Sequence, residues 1–310
     1  IDVPDTRAWR LKPLRGLHPV VDALLTWRKA ERIETTFGYG WIDQHVRGGR
    51  LRGEWSGSDG AAGRMTASAG LHNMPADLRI AVAADPGFTF VRADLGQIEP
   101  RVLAAVSGDP ALTAAAEQAD LYAPVAARLG VERAVAKVAV LAAMYGQTSG
   151  TAGMALQRME TEYPVALQYL RDADSAGRAG QDITTYGGRL VRMWDFGDQY
   201  AEQPQRERAA AAARGRFARN AIVQGAAAEL FKAWAVIVRA RVAPLGAAVV
   251  LCLHDEVLVH TPAEHAAEVA ELIERCLQEA AWRHFDDGPA RRVRFVADVS
   301  IIARWSDAKE

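Results

Sequence analysis

Ala247-Ala248-Val249-Val250-Leu251-Cys252-Leu253, then His254-Asp255-Glu256, then Val257-Leu258-Val259-His260: two apolar β-type runs flank a short charged insert, and this stretch decides the fold class. The pattern is a hairpin signal, although no Asn-Gly marks the turn. Just beyond it, Thr261-Pro262-Ala263-Glu264 reads as a capping box with proline at the first helical position. Upstream, a long helical tract runs from Glu202 to about Val242, and alanine-rich residues Ala111 to Leu170 read as mostly helical. A glycine-rich, polar stretch, Ser175 to Gly188, breaks the pattern between them. Further back, Phe88 to Ala93 is a compact strand ending at Asp94, followed by a helical pattern from Gln97 to Val106. One strand, a helical insertion of over a hundred residues and then a hairpin give an α+β class, an antiparallel sheet carrying a helical subdomain.

The remaining N-terminal part is less regular. His18 to Phe37 has apolar residues at helical spacing (Val21, Leu24, Leu25, Ile33). Trp41 to Met74 is rich in glycine, with turn signals at Gly48-Gly49 and Gly57-Ser58-Asp59-Gly60. Leu51, Gly53 and Trp55 mark short strands between them. Ile1-Asp2-Val3-Pro4-Asp5 is neither a start methionine nor a signal peptide and reads as a chain cut from something longer.

At 310 residues, half of them hydrophobic and a quarter charged, the composition is that of a soluble globular protein. No apolar run approaches the roughly 20 residues that span a bilayer, so no membrane partner is expected. Two cysteines, Cys252 and Cys276, without metal-ligand spacing exclude a zinc ribbon or disulfide scaffold and suit a reducing cytoplasm. A net charge of −1 disfavours a purely electrostatic nucleic-acid binder. Locally, seven arginines against four acids between Arg189 and Arg219 give a surface able to follow a phosphate backbone, or equally a solvated helix face.

Three segments carry candidate chemistry. Asp94, at a strand end just before a helix, is well placed as a hard-cation ligand; the commoner role for such a residue is to cap the helix. Asp255 and Glu256 sit at a hairpin tip, where acids are usually only solvated, but strong flanking strands would fix them. Asp94 and Asp255 from separate strands can hold two metals roughly 4 Å apart, and without cations the pair repels itself. Arg133, Lys137, Leu141 and Tyr145, each four apart, form one helix stripe suited to a nucleotide: cations for the triphosphate, then apolar and aromatic groups for sugar and base. An ordinary amphipathic helix gives the same pattern.

Together and in this order the segments resemble motifs A, B and C of the family A DNA polymerases, the bacterial DNA polymerase I type. Asp94-Leu95-Gly96-Gln97-Ile98-Glu99-Pro100-Arg101 is similar to D-Y-S-Q-I-E-L-R. Arg133, Lys137, Tyr145 and Gly146 match R-x-x-x-K-x-x-x-F-G-x-x-Y-G, and His254-Asp255-Glu256 matches H-D-E. Gly63-Arg64-Met65-Thr66-Ala67-Ser68 resembles T-G-R-L-S-S, Leu71-His72-Asn73-Met74-Pro75 resembles L-Q-N-I-P, and Asn220 to Gly225 resembles N-x-x-x-Q-G with Arg216 four residues upstream. The resemblance covers about His18 to Trp305.

It implies a right-hand polymerase fold: a thumb remnant and entry to the palm (1–53), palm (54–106), helical fingers (107–215) and palm again (216–310), with most of the thumb missing. It implies template-directed addition of deoxynucleotides to a primer, with primer–template DNA and deoxynucleoside triphosphates as partners and two Mg2+ ions, replaceable by Mn2+. Asp94, Asp255 and the Leu95 carbonyl would bind the metals, with Glu256 beside them in motif C. Arg133 and Lys137 would hold the triphosphate, Lys137 also protonating the pyrophosphate. Leu141, Tyr145, Gln97 and Tyr122 would lie around the nucleotide, and Glu99 would be the gate against a ribose 2′-hydroxyl. Arg64, Arg216, Asn220, Gln224 and His254 would touch DNA.

The departures bear on sugar handling. Leu141 replaces phenylalanine, Ala142 glycine, Leu95-Gly96 Tyr-Ser, and Tyr122 stands where the family commonly has histidine. A monomer in the cytoplasm, associated with the nucleoid and serving replication or repair, is expected. Any 3′→5′ exonuclease domain would precede Ile1, and a thumb-deficient chain should grip DNA poorly. Two other readings remain: a single-subunit RNA polymerase-like enzyme, against which Glu99 and Glu256 argue, and a catalytically impaired nucleic-acid-binding relative, against which the retained Asp94, Asp255, Arg133 and Lys137 argue.

Overall fold

The computed structural model describes residues 3–60, 62–146, 153–193, 204–285 and 288–308. The chain divides into two compact units: residues 1–55 with 67–74, and residues 56–66 with 75–310.

The first unit holds α1 (Ala8–Leu11), α2 (Pro19–Phe37), α3 (Tyr39–His45) and the ribbon β1 (Val46–Arg47) and β2 (Arg50–Leu51). The expected helix forms over α2 because His18 caps it, its Nδ1 accepting from the Val20 amide at 3.1 Å, and Pro19 opens it without losing a donor. Gly48 and Gly49 turn the ribbon at φ 58° and 72°, a conformation that suits glycine.

The second unit contains the ribbon of β3 (Trp55–Asp59) and β4 (Arg64–Ala67), whose outer ends belong to the first unit, and everything that follows. Its centre is a four-stranded antiparallel sheet in the order β10-β5-β9-β8, from β5 (Phe88–Gly96), β8 (Ala248–Leu253), β9 (Glu256–Pro262) and β10 (Val296–Ile302). Between β5 and β8 run α4 (Ile98–Ser107), α5 (Pro110–Ala116), α6 (Tyr122–Leu129), α7 (Arg133–Tyr145), α8 (Gly153–Glu162), α9 (Pro164–Arg178), the ribbon β6 (Ile183–Thr184) and β7 (Leu190–Val191), and α10 (Pro204–Val242). Helix α11 (Ala266–His284) separates β9 from β10. The class is therefore α+β, with the helical insertion between the first strand and the hairpin. The expected helical tracts reach into residues 147–152 and 202–203, which lie outside the described residues.

Alternation along β5 buries Val91, Ala93 and Leu95 in the main core, and turns Arg92 and Asp94 to the other face. Helix α10 crosses that core. Arg206–Leu245 is long and apolar enough to span a membrane, but 67 % of its apolar window is buried within the fold, so it serves as a core helix. Trp234 on α10, fully buried, donates its indole N–H to the Ile273 carbonyl at 3.0 Å. Helix α9 lies close against α10 at Gly177, where a Cβ would come within 2.6 Å of the Ala218 Cβ. Asp109, fully buried, joins two helices: Oδ1 accepts from the amides of Ala111 and Leu112, and Oδ2 from those of Val165 and Ala166.

Three local expectations differ from the structure. Strand β5 continues past Asp94 to Gly96, because β10 pairs with it along that whole length. Helix α9 runs on to Arg178, past the expected break at Ser175. The capping box at Thr261 does not form: Thr261 and Pro262 finish β9, a 3-10 turn follows at Ala263–His265, and α11 begins at Ala266. The Thr261 hydroxyl donates instead to the Pro262 carbonyl.

Candidate active site

The β8–β9 hairpin closes through only His254 and Asp255, with Leu253 paired to Glu256. His254 takes φ 51°, so a histidine fills the left-handed position that Asn-Gly usually supplies. The Leu95 amide donates to the Asp255 carbonyl at 2.9 Å and holds this turn against β5. In register, Asp94 lies directly opposite Glu256 on β9 and Asp298 on β10. The strands thus bring Asp94, Leu95, Asp255 and Glu256 to one corner of the sheet. Burial pushes the Asp94 carboxyl up to about 6; Arg92 opposes this, while Glu256, Asp255 and Asp298 add to it. Burial likewise pushes Asp255 up to about 6, opposed by Arg64 and reinforced by Glu99.

Arg92 was not singled out by sequence, yet it organises this corner. Its Nε donates to Glu256 Oε2 at 2.7 Å and its Nη2 to Asp94 Oδ2 at 3.1 Å. The other Glu256 oxygen accepts from Trp305 Nε1 at 2.8 Å. Glu256 is therefore fixed through both oxygens. The one available signal for Arg92 was its position two residues before Asp94 in a strand, which puts both on one face.

Asp94 is not a helix cap, because α4 starts at Ile98, with Gln97 at its N-cap in a left-handed conformation (φ 56°). Glu99, in the first turn of α4 and 8 % exposed, accepts from Tyr145 Oη at 2.7 Å and from Arg64 Nη2 at 2.8 Å. Burial, and then the bond to Glu99, push the Tyr145 phenol up to about 12. Arg64 and Glu99 both act electrostatically on Asp255, so this triad adjoins the carboxylate corner.

Helix α7 is amphipathic, and the stripe lies on its open side. Arg133 and Lys137 are exposed, Leu141 and Tyr145 half-buried, and Ala136, Ala139, Val140 and Ala143 buried behind them. Arg133 pairs with Asp120 through Nε at 2.6 Å, and its guanidinium lies 5.6 Å from the Tyr122 ring centre. Tyr122 is 4 % exposed and burial pushes its phenol up to about 12. The Gln97 side chain donates to Asp120 at 2.7 Å and accepts from the Leu121 amide and Arg101. Arg101, fully buried, has no carboxylate partner among the described residues. It binds carbonyl oxygens of Ala116, Gln118, Ala119 and Arg294, and burial lowers its pKa to about 10.

Arg216, Asn220 and Gln224 follow one another at helical spacing on α10, the first exposed and the others half-buried. The Asn220 Oδ1 atom is buried and has no hydrogen-bond partner among the described residues.

Hard oxygen donors at the sheet corner suit a divalent cation. Both carboxyls are disfavoured as anions by burial, and two carboxylates with one backbone carbonyl are an open donor set of the kind Mg2+ completes with water and phosphate. Among the described residues no group of three or more His, Cys, Asp or Glu is placed to hold a metal ion.

The sequence model described as DNA polymerase family A matches residues 2–307. The thermostable DNA polymerase I of Thermus filiformis is 29 % identical over 333 residues, covering 97 % of this chain and 38 % of that protein. The DNA polymerase I of Deinococcus radiodurans is 27 % identical over 330 residues, covering 96 % and 33 %. This chain therefore spans little more than a third of the curated relatives it matches. Among solved structures, the POL domain of Pol1 from M. smegmatis, in complex with DNA primer-template and dNTP, aligns at a TM-score of 0.77 and 25 % identity, over 97 % of this chain and 56 % of that one.

Proposed function

The chain belongs to DNA polymerase family A, and from that premise we propose that it extends a primer 3′-end with deoxynucleotides in template-directed fashion. One observation carries the reading. Asp94 and the Asp255 turn are locked together on adjacent strands by the Leu95–Asp255 backbone bond, with Arg64, Glu99 and Tyr145 beside them.

Asp94, Asp255 and the Leu95 carbonyl hold two Mg2+ ions, for which Mn2+ can substitute. Those ions supply charge neutralisation at the primer 3′-hydroxyl and at the transferring phosphoryl group. Arg133 and Lys137, one turn apart on the open face of α7, bind the triphosphate, with Arg133 exchanging Asp120 for phosphate oxygens. Lys137 delivers a proton to the departing pyrophosphate. Leu141 and Tyr145 contact sugar and base, and Tyr122 supports Arg133 from beneath. Gln97 lies around the nucleotide with them and holds Asp120 through its side-chain amide. Glu99 excludes a 2′-hydroxyl because its carboxylate is pinned from two sides. Arg216, Asn220, Gln224, Arg64 and His254 face primer–template DNA.

Residues 1–53 are assigned to a thumb remnant, 54–106 and 216–310 to the palm and 107–215 to the fingers. The proposed setting is a monomer in the cytoplasm, at the nucleoid, in replication or repair and without a membrane partner.

The test is extension of a labelled primer–template at low salt with Mg2+ or Mn2+, supplying deoxy- and ribonucleotides separately. Metal-dependent deoxynucleotide incorporation, lost in Asp94→Asn and Asp255→Asn, is the expected result. Preference for ribonucleotides would replace this reading with an RNA polymerase. Silence from a chain that still binds the primer would mark a catalytically dead relative.

A further inference from the structure

Three carboxylates stand in a row across the sheet, Asp298 on β10, Asp94 on β5 and Glu256 on β9, each directly opposite the next. Like charges in such positions repel. The Arg92 guanidinium answers that row: besides Asp94 and Glu256 it lies 4.0 Å from Asp298 Oδ2. At 9 % exposure it cannot leave for solvent without rearrangement, and Trp305 pins its Glu256 partner from the other side. None of the roles assigned above uses Arg92.

We propose that Arg92 is a resident cation of the metal site, a positioning residue that keeps Asp94 and Glu256 in register and shares the Asp94 carboxylate with an incoming divalent ion. This rests on the reading that Asp94 and Asp255 hold divalent ions. A divalent ion at Asp94 meets a fixed positive charge in a half-buried corner, where charges interact more strongly than in water. The site therefore loads weakly with metal alone. It loads tightly when a triphosphate brings negative charge of its own, so metal and nucleotide bind together.

Mn2+ alone, titrated into the full chain without DNA or nucleotide and followed by the electron paramagnetic resonance of free Mn2+, tests this. The unmodified chain is expected to bind weakly at a site lost in Asp94→Asn. Arg92→Gln, neutral but still a donor, should bind Mn2+ about tenfold more tightly, while Arg92→Lys stays within about threefold of the original. Unchanged or weaker binding by folded Arg92→Gln would overturn the proposal and leave the metal site standing. If the unmodified chain shows no Asp94-dependent Mn2+ binding, the metal reading itself fails and the Arg92 proposal falls with it.

Should Arg92→Gln not fold, the unmodified protein still decides. With 15N-labelled arginine, the Arg92 Nε–H resonance, assigned by its loss in Arg92→Lys, should persist on Glu256 yet shift saturably with Mg2+. A resonance indifferent to Mg2+ would refute the sharing of Asp94.

Discussion

Ionising Asp94 and Asp255 in the metal-free protein should cost stability, and the sign follows from the direction of their shifts. Both carboxyls rise from 3.8 to about 6 in the folded chain. A raised acid stabilises the fold while protonated. Its contribution is fully present below the unfolded value near 3.8 and is lost as pH rises through about 6. At about pH 5 each group, taken at face value, returns about 1.4 kcal/mol relative to about pH 7.5. The Asp94 side chain is 41 % exposed and Asp255 contributes to the Asp94 shift, so screening and coupling reduce the pair to about 1 kcal/mol in total. The assay is urea denaturation with a chelator at the two pH values, on the parent and on Asp94→Asn/Asp255→Asn. The parent should gain about 1 kcal/mol more than the double mutant on acidification. Millimolar Mg2+ at the higher pH should restore that stability in the parent only. An equal response from both proteins, or a larger gain in the mutant, would refute the reasoning, because every other titrating group is common to the two.

Other expectations are simpler to state. Glu99→Ala removes the acceptor of Tyr145 and Arg64 and should admit ribonucleotides in primer extension; unchanged sugar selectivity would sink the gate assignment. Asp109→Ala deprives the first turns of α5 and α9 of four bonds to a buried carboxylate. It should cost about 2–4 kcal/mol in urea denaturation, about 1 for each cap with the remainder from buried donors left unpaired. Burial pushes the Cys252 thiol up to about 11 and raises Cys276 as well, so neither should react with a thiol reagent at neutral pH until urea unfolds the chain.

What the sequence made legible was what local pattern controls. The apolar runs on either side of His254-Asp255-Glu256 and the Phe88–Ala93 run announced three of the four sheet strands, and four-residue spacing put Arg133, Lys137, Leu141 and Tyr145 on one stripe of α7. What it hid was decided by partners far along the chain. Arg92 in an apolar strand reads as an exception until Glu256, 164 residues away, arrives beside it. Trp305 gave no sign that it would hold Glu256 from β9. Thr261 carried a sound local cap signal, but pairing with Thr89 across β5–β9 kept it in the sheet, and the helix had to wait.

Gln97 and Glu99 show how the two ends of the candidate site are coupled. Helix α7 is about 18 Å long from Arg133 to Tyr145. Its C-terminal end is tied to Glu99 through the Tyr145 hydroxyl, and its N-terminal end to Asp120, which Gln97 orients. Both ties therefore return to the first turn of α4, next to β5 and Asp94. Neither is strong: the Arg133–Asp120 pair is solvent-facing, where water and salt screen it, and the other tie is a single hydrogen bond to Glu99, worth on the order of 1–2 kcal/mol. A triphosphate offering several charged oxygens to Arg133 and Lys137 can displace Asp120 at little cost. Arg101, held by the carbonyl oxygens of Ala116, Gln118 and Ala119, and Gln97, which accepts from Arg101 and the Leu121 amide, stay in place while that exchange occurs. Strong bonds thus fix the α4 platform, and on the proposed reading weak ones face the nucleotide, a division of labour that suits a nucleotide-binding helix.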